Sequence, residues 1–412
     1  MVPNSWEIRS LKDITSKIQD GNYGAKYPKA DELVDKGIPF LTSKALGGSG
    51  KTNPEKYDFI TIEKHIELKK AHITTNDILF TNRGANVGVI GIAGEDLSDA
   101  NIGPQLTLIR SNEKIVSYNY LYFFMKSSFF QRQVQGQDSG SAMNFFGIKS
   151  TEKFKIKVPP LLEQQKIAKI LFTWDKAIST TERLIDNSTQ QKKALMQQLL
   201  TGKKRLLDES GKRFEGEWKK YPVGDICQSI VPGRNKPKEF DGDIPWVTTP
   251  EFQGRYIPSK LQKNYISQNV IDECGAKLVP EGAVVIAAVG DLGLTAIASE
   301  TVVLNQQLHA FICGKKVNNE YLFYWLSYQK PYMESIASKT TIQYMNKKNC
   351  ESIPVGLPTL EEQQKIATVL TNADKEIELL EQQLADLQQE KKALMQVLLT
   401  GKKRVVVGGE NL

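Results

Sequence analysis

Between Ile366 and Leu398, core-forming positions recur at alternating spacings of four and three: Ile366, Leu370, Ala373, Ile377, Leu380, Leu384, Leu387, Lys391, Leu394 and Leu398. That rhythm predicts a heptad helix with one buried seam. Ile167, Leu171, Trp174, Ile178, Thr181, Ile185, Ser188, Lys192, Leu195 and Leu199 keep the same rhythm, with a more polar middle. The two stretches are copies. PPLLEQQKIAKIL (Pro159–Leu171) answers PTLEEQQKIATVL (Pro358–Leu370), and KKALMQQLLTGKKR (Lys192–Arg205) answers KKALMQVLLTGKKR (Lys391–Arg404), both at an offset of 199. No gap separates the two ends of either copy, so each is a segment of fixed length, which suits a helix better than a loop. Pro159 and Pro358 precede the starts, Thr359 and Glu362 form a capping-box pattern, and Gly202 and Gly401 stand where C-terminal caps belong. The first copy has Pro160 at the capping position, so its start is less well defined. A helix of about 41 residues is a rod of roughly 60 Å. Two such rods in one chain most economically pack on each other. Ile167, Leu171, Trp174, Ile178, Leu195 and Leu199 of the first are then expected to meet Ile366, Leu370, Ile377, Leu384, Leu394 and Leu398 of the second. Beside the seam runs a second apolar stripe, with Ile170, Met196 and Leu200 in one copy and Val369, Met395 and Leu399 in the other. It requires a cover, either the flanking domains or a separate subunit.

Ahead of each rod the period shifts to short β-type runs mixed with helical pieces. Ile78–Thr81, Val87–Ala93 and Leu106–Arg110 read as strands, as do Gly282–Val289, Ala296–Ile297 and Ala310–Cys313. Tyr118–Val134 and Asn318–Ala337 read as helices. These regions match loosely: Trp6 with Trp218, IPFLT (Ile38–Thr42) with IPWVT (Ile244–Thr248), and NYLYFF (Asn119–Phe124) with EYLFYW (Glu320–Trp325). The landmarks keep their order while their offset falls from 212 to 199, as two copies of one fold with different loop lengths require. The organisation expected is a first domain at 1–157, a helix at 158–202 and a charged linker at 203–217. A second domain at 218–356, a second helix at 357–401 and a tail at 402–412 complete it. The fold class is α+β, with two similar mixed α/β domains separated by two long helices.

Composition narrows the partners without choosing one. At 412 residues the chain exceeds a single core. Its net charge of +7 tolerates a polyanion but equally serves ordinary solubility. The N-terminus fits neither a signal nor a transit peptide, and no run approaches a membrane span. Cys227, Cys274, Cys313 and Cys350 lie far apart with no CxxC pair, which favours reduced thiols and a cytoplasmic setting. His65, His72 and His309 sit in unrelated contexts, so a histidine metal or nucleophile site is disfavoured and no metal is expected. ALGGSGKT (Ala45–Thr52) imitates a phosphate-binding loop, but Pro54 and a β-type run follow where the motif needs a helix. A flexible loop is the better reading. GxGxxG, GxSxG, the Asn/Asp-Pro-Pro-aromatic tetrapeptide of amino-methyltransferases and a clean nuclease cluster are all missing from the sequence. The chain reads as a binder.

Like rods ask for the same job done twice, and unlike domains on one fold ask for two targets at a fixed separation. Duplex DNA offers such targets along one axis, although two peptide or carbohydrate sites would satisfy the same logic. A coiled-coil scaffold joining two protein- or ligand-binding domains is the rival from another class.

The paired Pro-x-Leu-x-Glu-Gln-Gln-x-Ile-Ala junctions and the KKALMQxLLTGKKR endings resemble the specificity subunits (HsdS) of type I restriction–modification systems, over essentially the whole chain. ILFTNRGANVG (Ile78–Gly88) also resembles a motif of their target-recognition domains, whereas VVIAAVGDLG (Val284–Gly293) has no counterpart to Arg83. The resemblance implies antiparallel rods, a pseudo-twofold arrangement and two target-recognition domains, each reading half of a split DNA sequence. It implies no catalysis by this chain. Two modification (adenine methyltransferase) subunits would dock on it, and restriction subunits would join through them, for DNA methylation and phage defence. S-adenosylmethionine, ATP and Mg are expected on those partners, and no cofactor on this chain.

Base reading needs directional groups: Arg or Lys for guanine, Asn or Gln for adenine, Ser or Thr for either. On loops after the matched landmarks these are Thr42, Ser43, Lys44, Asn82, Arg83, Ser141, Asn144 and Lys149 in the first domain. In the second they are Thr248, Thr249, Arg255, Gln343, Asn346 and Lys347.

Overall fold

The computed structural model describes residues 3–47, 50, 52–136, 145–233, 235–252 and 254–406. Two compact units emerge: residues 1–182 with 383–412, and residues 183–382. The predicted rods are continuous helices, Leu161–Leu200 and Leu360–Leu398. Each unit therefore contains one mixed domain, the start of the helix that follows it and the end of the other helix.

Within the first unit the helix segments run antiparallel. Lys391 pairs with Asp175, and Arg404 pairs with Glu163. The second unit repeats the pattern one offset on, with Lys192 pairing with Asp374 and Arg205 with Glu362. The lysines that interrupt the apolar seam thus meet an aspartate on the facing helix, and a half-buried charge pair in a seam favours one direction and register. Every seam position is buried or half-buried, while neighbours such as Leu184 and Leu379 are exposed. Gly202 (φ +70°) and Gly401 (φ +76°) close the helices in the left-handed region that favours glycine.

The second apolar stripe has its cover, at least near the helix ends. Ile170 and Met395 pack on the core of the first domain, where Ile167, Leu171, Leu398 and Leu399 are buried. Met196 and Val369 pack likewise on the second domain, beside Leu199, Leu200, Ile366 and Leu370. The flanking domains do this job.

The two domains share one topology. In the first, an antiparallel sheet orders Thr15–Asp20, Leu106–Ser111, Ile78–Thr81 and Ile90–Ile92. A second sheet orders Asp58–Ile60, Leu33–Leu41, Ala100–Ile102 and His72–Ile73, with one parallel pair, Phe40 to Asn101. The second domain repeats both. Its first sheet orders Cys227–Ile230, Leu308–Cys313, Val284–Ala287, Thr295–Ala298 and one added strand, Tyr256–Ile257. Its second orders Tyr265–Ile266, Ile244–Val247, Val302–Leu304 and Leu278–Val279, parallel at Trp246 to Val303. Terminal strand pairs, Glu7–Ser10 with Lys155–Val158 and Lys219–Pro222 with Pro354–Leu357, tie each domain's ends together beside its helix.

Both predicted domain helices are broken in two. Tyr118–Lys126 stops at Ser127, which takes an extended backbone, and Ser128–Gly136 follows. Asn319–Tyr328 stops at Gln329, ahead of Lys330–Ile336 with Pro331 in its first turn. A proline is tolerated there because a first-turn N–H needs no helical partner.

Candidate nucleic-acid interface

Each domain is locked to the helices by a repeated Glu, Gln and Arg, with a tryptophan beside them that hydrogen-bonds only in the first domain. In the first, the Trp6 indole N–H donates to Glu163 at 3.0 Å, and Arg404 grips the same carboxylate through Nε (2.6 Å) and Nη2 (2.7 Å). Gln164 bridges two loops: its oxygen accepts from the Ser117 N–H, and its amide donates to the Ile115 and Pro159 carbonyls. In the second domain, Arg205 grips Glu362 at 2.6 and 2.8 Å, and Gln363 bridges Asn318, Lys316 and Pro358 identically. There Trp218 leaves its indole N–H without a partner. The repeated Glu-Gln and the repeated terminal Arg are thus two ends of one latch. Glu362 accordingly forms half of the expected capping box: its N–H donates to Thr359 Oγ1, while its carboxylate turns to Arg205.

With the frame fixed, the loops differ. In the first domain Arg83 leaves the end of strand Ile78–Thr81 and pairs with Phe145 in an isolated antiparallel bridge. Its guanidinium carbon lies 4.8 Å from the centre of the Tyr23 ring and 4.5 Å from that of Phe145. Nη2 donates to the Tyr23 hydroxyl and Nε donates to Asn82 Oδ1. Phe145 and Tyr23 are 53% and 48% exposed, so the stacked arginine is presented at a wet aromatic surface. Behind it, Asn82 Nδ2 donates to Asp20 (3.2 Å) and Thr107 (3.0 Å), and the Thr107 hydroxyl donates to Asp20. Burial pushes the Asp20 carboxyl above its usual range, partly offset by hydrogen bonds from Thr107, Tyr23 and Asn82.

The equivalent bridge of the second domain joins Val289 to Tyr344, so the position of Arg83 carries no charge. The buried support differs too. His309, in place of Thr107, meets the Ser229 hydroxyl at 2.7 Å, and burial pulls its imidazole down to about 4.

Several expected base readers serve the fold instead. Asn82 is completely buried and supports Arg83 from behind. Thr42 is buried as well. Thr248 and Asn346 cap the short helices that follow them: the Thr248 hydroxyl donates to Glu251, and Asn346 Oδ1 accepts from the Asn349 N–H. Thr249 is half-buried, and its hydroxyl oxygen has no partner. Arg255 turns onto the second long helix, hydrogen-bonded to Thr371 and 3.3 Å from Glu320. Lys44, Lys149, Gln343, Asn346 and Lys347 are exposed, Ser43 is half-buried, and Arg83 is held half-buried by Tyr23, Phe145 and Asn82. Ser141 and Asn144 lie outside the described residues. Sequence reasoning missed Tyr23 and Phe145, whose signal was only an aromatic residue in each of two Gly-containing stretches.

The phosphate-loop imitation does not form among the described residues. Thr52 bridges back to Leu46 and its hydroxyl accepts from Tyr57, and a short 3-10 turn, Pro54–Lys56, follows instead of a long helix. Among the described residues no helix is long and apolar enough to cross a membrane.

Comparison with known proteins agrees with this architecture. The family described as the type I restriction modification DNA specificity domain matches twice, at residues 3–187 and 215–389. A putative type I restriction enzyme MjaX specificity subunit of Methanocaldococcus jannaschii is 30% identical over 98% of this chain and 95% of its own length. The MjaVIII specificity subunit of the same organism is 25% identical, over 98% and 94%. Among solved structures, the HsdS subunit from Thermoanaerobacter tengcongensis superposes with a TM-score of 0.53 at 18% identity, covering 98% of both chains. The S subunit from M. genitalium gives 0.58 at 14% identity, covering 97% of both. A duplicated domain on a duplicated helix, matched twice by one family, leaves one assignment: this chain belongs to the type I restriction–modification specificity subunits, non-catalytic proteins that recognise the DNA target.

Proposed function

We propose that the two domains, at 1–157 and 218–356, each read one half of a split DNA target, with the helices at 158–202 and 357–401 setting the unread spacer. The observation that carries this reading is the pairing of one frame with two different loop surfaces. The latch residues repeat at a constant offset, while Arg83 faces outward at a position that Val289 fills in the other domain. In the first domain the reading segments are Thr42–Lys44, Arg83 with Tyr23 and Phe145, and the stretch around Lys149. In the second they are the loop after Val247 and the exposed residues Gln343, Tyr344, Asn346 and Lys347 on either side of buried Met345. Arg83 is the base reader or phosphate anchor best prepared for the task, because its stacking and hydrogen bonds orient the fork before DNA arrives.

Two adenine methyltransferase subunits dock on the assembled chain, and restriction subunits join through them. S-adenosylmethionine, ATP and Mg belong to those partners, and the setting is the cytoplasm. Support for two equivalent docking faces comes from the near-identity of the helix copies. The test is co-expression with an adenine methyltransferase subunit of the same system, followed by genome-wide mapping of methylated adenines. A single split motif, lost on deleting this chain, is expected. Unselective methylation despite an active partner would overturn the reading.

A further inference from the structure

His65, His72 and Asp99 come from three places in the first domain: the helix Ile62–Glu67, the strand His72–Ile73 and the turn before strand Ala100–Ile102. Although the sequence spacing argues against a shared role, the fold brings them together. His65 Nε2 lies 3.2 Å from Asp99 Oδ2, His72 Nδ1 lies 3.7 Å from Asp99 Oδ1, and the two rings are 4.3 Å apart.

The far nitrogen of each ring is already committed. His65 Nδ1 faces Asn101 Oδ1, and His72 Nε2 faces the carbonyl oxygen of Leu68. The Leu68 carbonyl can only accept, so a neutral His72 carries its proton on Nε2 and presents the Nδ1 lone pair, and His65 presents Nε2 in the same way in the tautomer that donates Nδ1–H to Asn101 Oδ1. Two lone pairs and a carboxylate then point at one another, which is unfavourable unless a cation lies between them.

The spacing suits a metal ion. Bonds of about 2.0–2.1 Å at tetrahedral angles place ligand atoms about 3.3 Å apart, and all three candidate atoms lie within 4.8 Å of one another. An oxygen behind each imidazole is also the arrangement that orients histidine ligands.

The second domain supplies the control. By register, Leu278 pairs with Val303 where His72 pairs with Asn101. Ile271 follows its cap residue Ser267 as His65 follows Thr61. There Ile271 packs with Val303 and Ile266, Leu278 stands 42% exposed, and Thr301 takes the place of Asp99. None of these three positions offers a metal ligand of the His or carboxylate type, whereas all three do in the first domain.

We propose that His65 Nε2, His72 Nδ1 and the Asp99 carboxylate form a site for one divalent transition metal of the zinc class. The ion ties the helix, the edge strand and the turn together, and Asp99, 62% exposed, leaves a further position open to water. The strand after Asp99 runs parallel to the one that ends at Leu41, so the ion also stiffens the support of the Thr42–Lys44 segment.

The test uses the full chain, purified without a histidine tag, stripped with a chelator and titrated with zinc alone. One zinc per chain and a raised thermal midpoint are expected. Asp99→Asn, at an exposed position, should keep the fold by circular dichroism. It should weaken zinc binding by more than the roughly 10–100-fold that loss of an outer-shell partner brings, and His72→Gln should do the same. Cobalt in place of zinc should give d–d absorption without a thiolate charge-transfer band, separating this site from the cysteines. Equal zinc binding by wild type and Asp99→Asn would overturn the proposal. So would a thermal midpoint that does not respond to zinc.

Discussion

The two units teach by being alike in one place and unlike in another. Where each domain meets the helices, the same Glu, Gln and Arg recur at an offset of 199, and they make the same hydrogen bonds. On the loop that follows the inner strand, one unit stacks Arg83 between Tyr23 and Phe145, and the other places Val289 against Tyr344. Buried polar networks tolerate little change, because any loss strands a desolvated partner. A solvated loop has no such constraint, so the frame stays fixed while the reading surface varies.

Breaking the frame should have the largest effect. Glu362 is 1% exposed, so Arg205→Ala strands a buried carboxylate and is expected to cost about 3–5 kcal/mol, read from urea unfolding of the full chain. Arg404→Ala should cost about 1 kcal/mol less, because Glu163 keeps its hydrogen bond from Trp6 while Trp218 gives Glu362 none. Equal costs would mean that the indole contributes nothing to the first latch.

Next comes a pH effect confined to the second unit. His309 is held neutral by burial, with its pKa depressed from 6.5 to about 4. Above pH 6.5 the folded and unfolded forms bind the same number of protons there. As pH falls the unfolded chain takes up a proton that the folded one refuses, so stability is lost between about pH 6.5 and 4, by about 3 kcal/mol in all. His309→Gln should flatten that part of the stability–pH curve, and an unchanged curve would remove His309 as its source.

The reading surface should respond more selectively. Arg83→Ala is expected to cost about 1–3 kcal/mol of DNA binding and to relax one base position in one half-site only. Even weakening across all sequences, with a salt slope lower by about one, would make it a phosphate anchor. Val289→Ala should leave both half-sites unchanged. The smallest expected change is geometric: seven residues added to both helices lengthen each by about 10.5 Å, which should widen the spacer and leave both half-sites alone.

Much of this was legible before any coordinates. The rods could be read because a heptad rhythm and an ungapped repeat are local, and the glycine caps marked their ends. The shared domain fold was legible in the order of landmarks such as Trp6 and Trp218. The latch was not, because Glu362 matched a cap pattern and Arg205 looked like part of a charged linker. Only tertiary structure brings positions 157 residues apart together. Asn82 has the chemistry of an adenine reader, and nothing local announces that its side chain points inward. The meeting of His65 and His72 with Asp99 likewise depends on how a strand edge folds back on a helix.

The most direct test replaces residues 218–356 with a second copy of the first domain, retaining both helices, in a chain co-expressed with its methyltransferase subunit. If each domain reads its own half, methylation mapping should return a target made of two copies of one half-site. A target that still carries the original second half would contradict the account, since the helices or the partner would then be doing the reading.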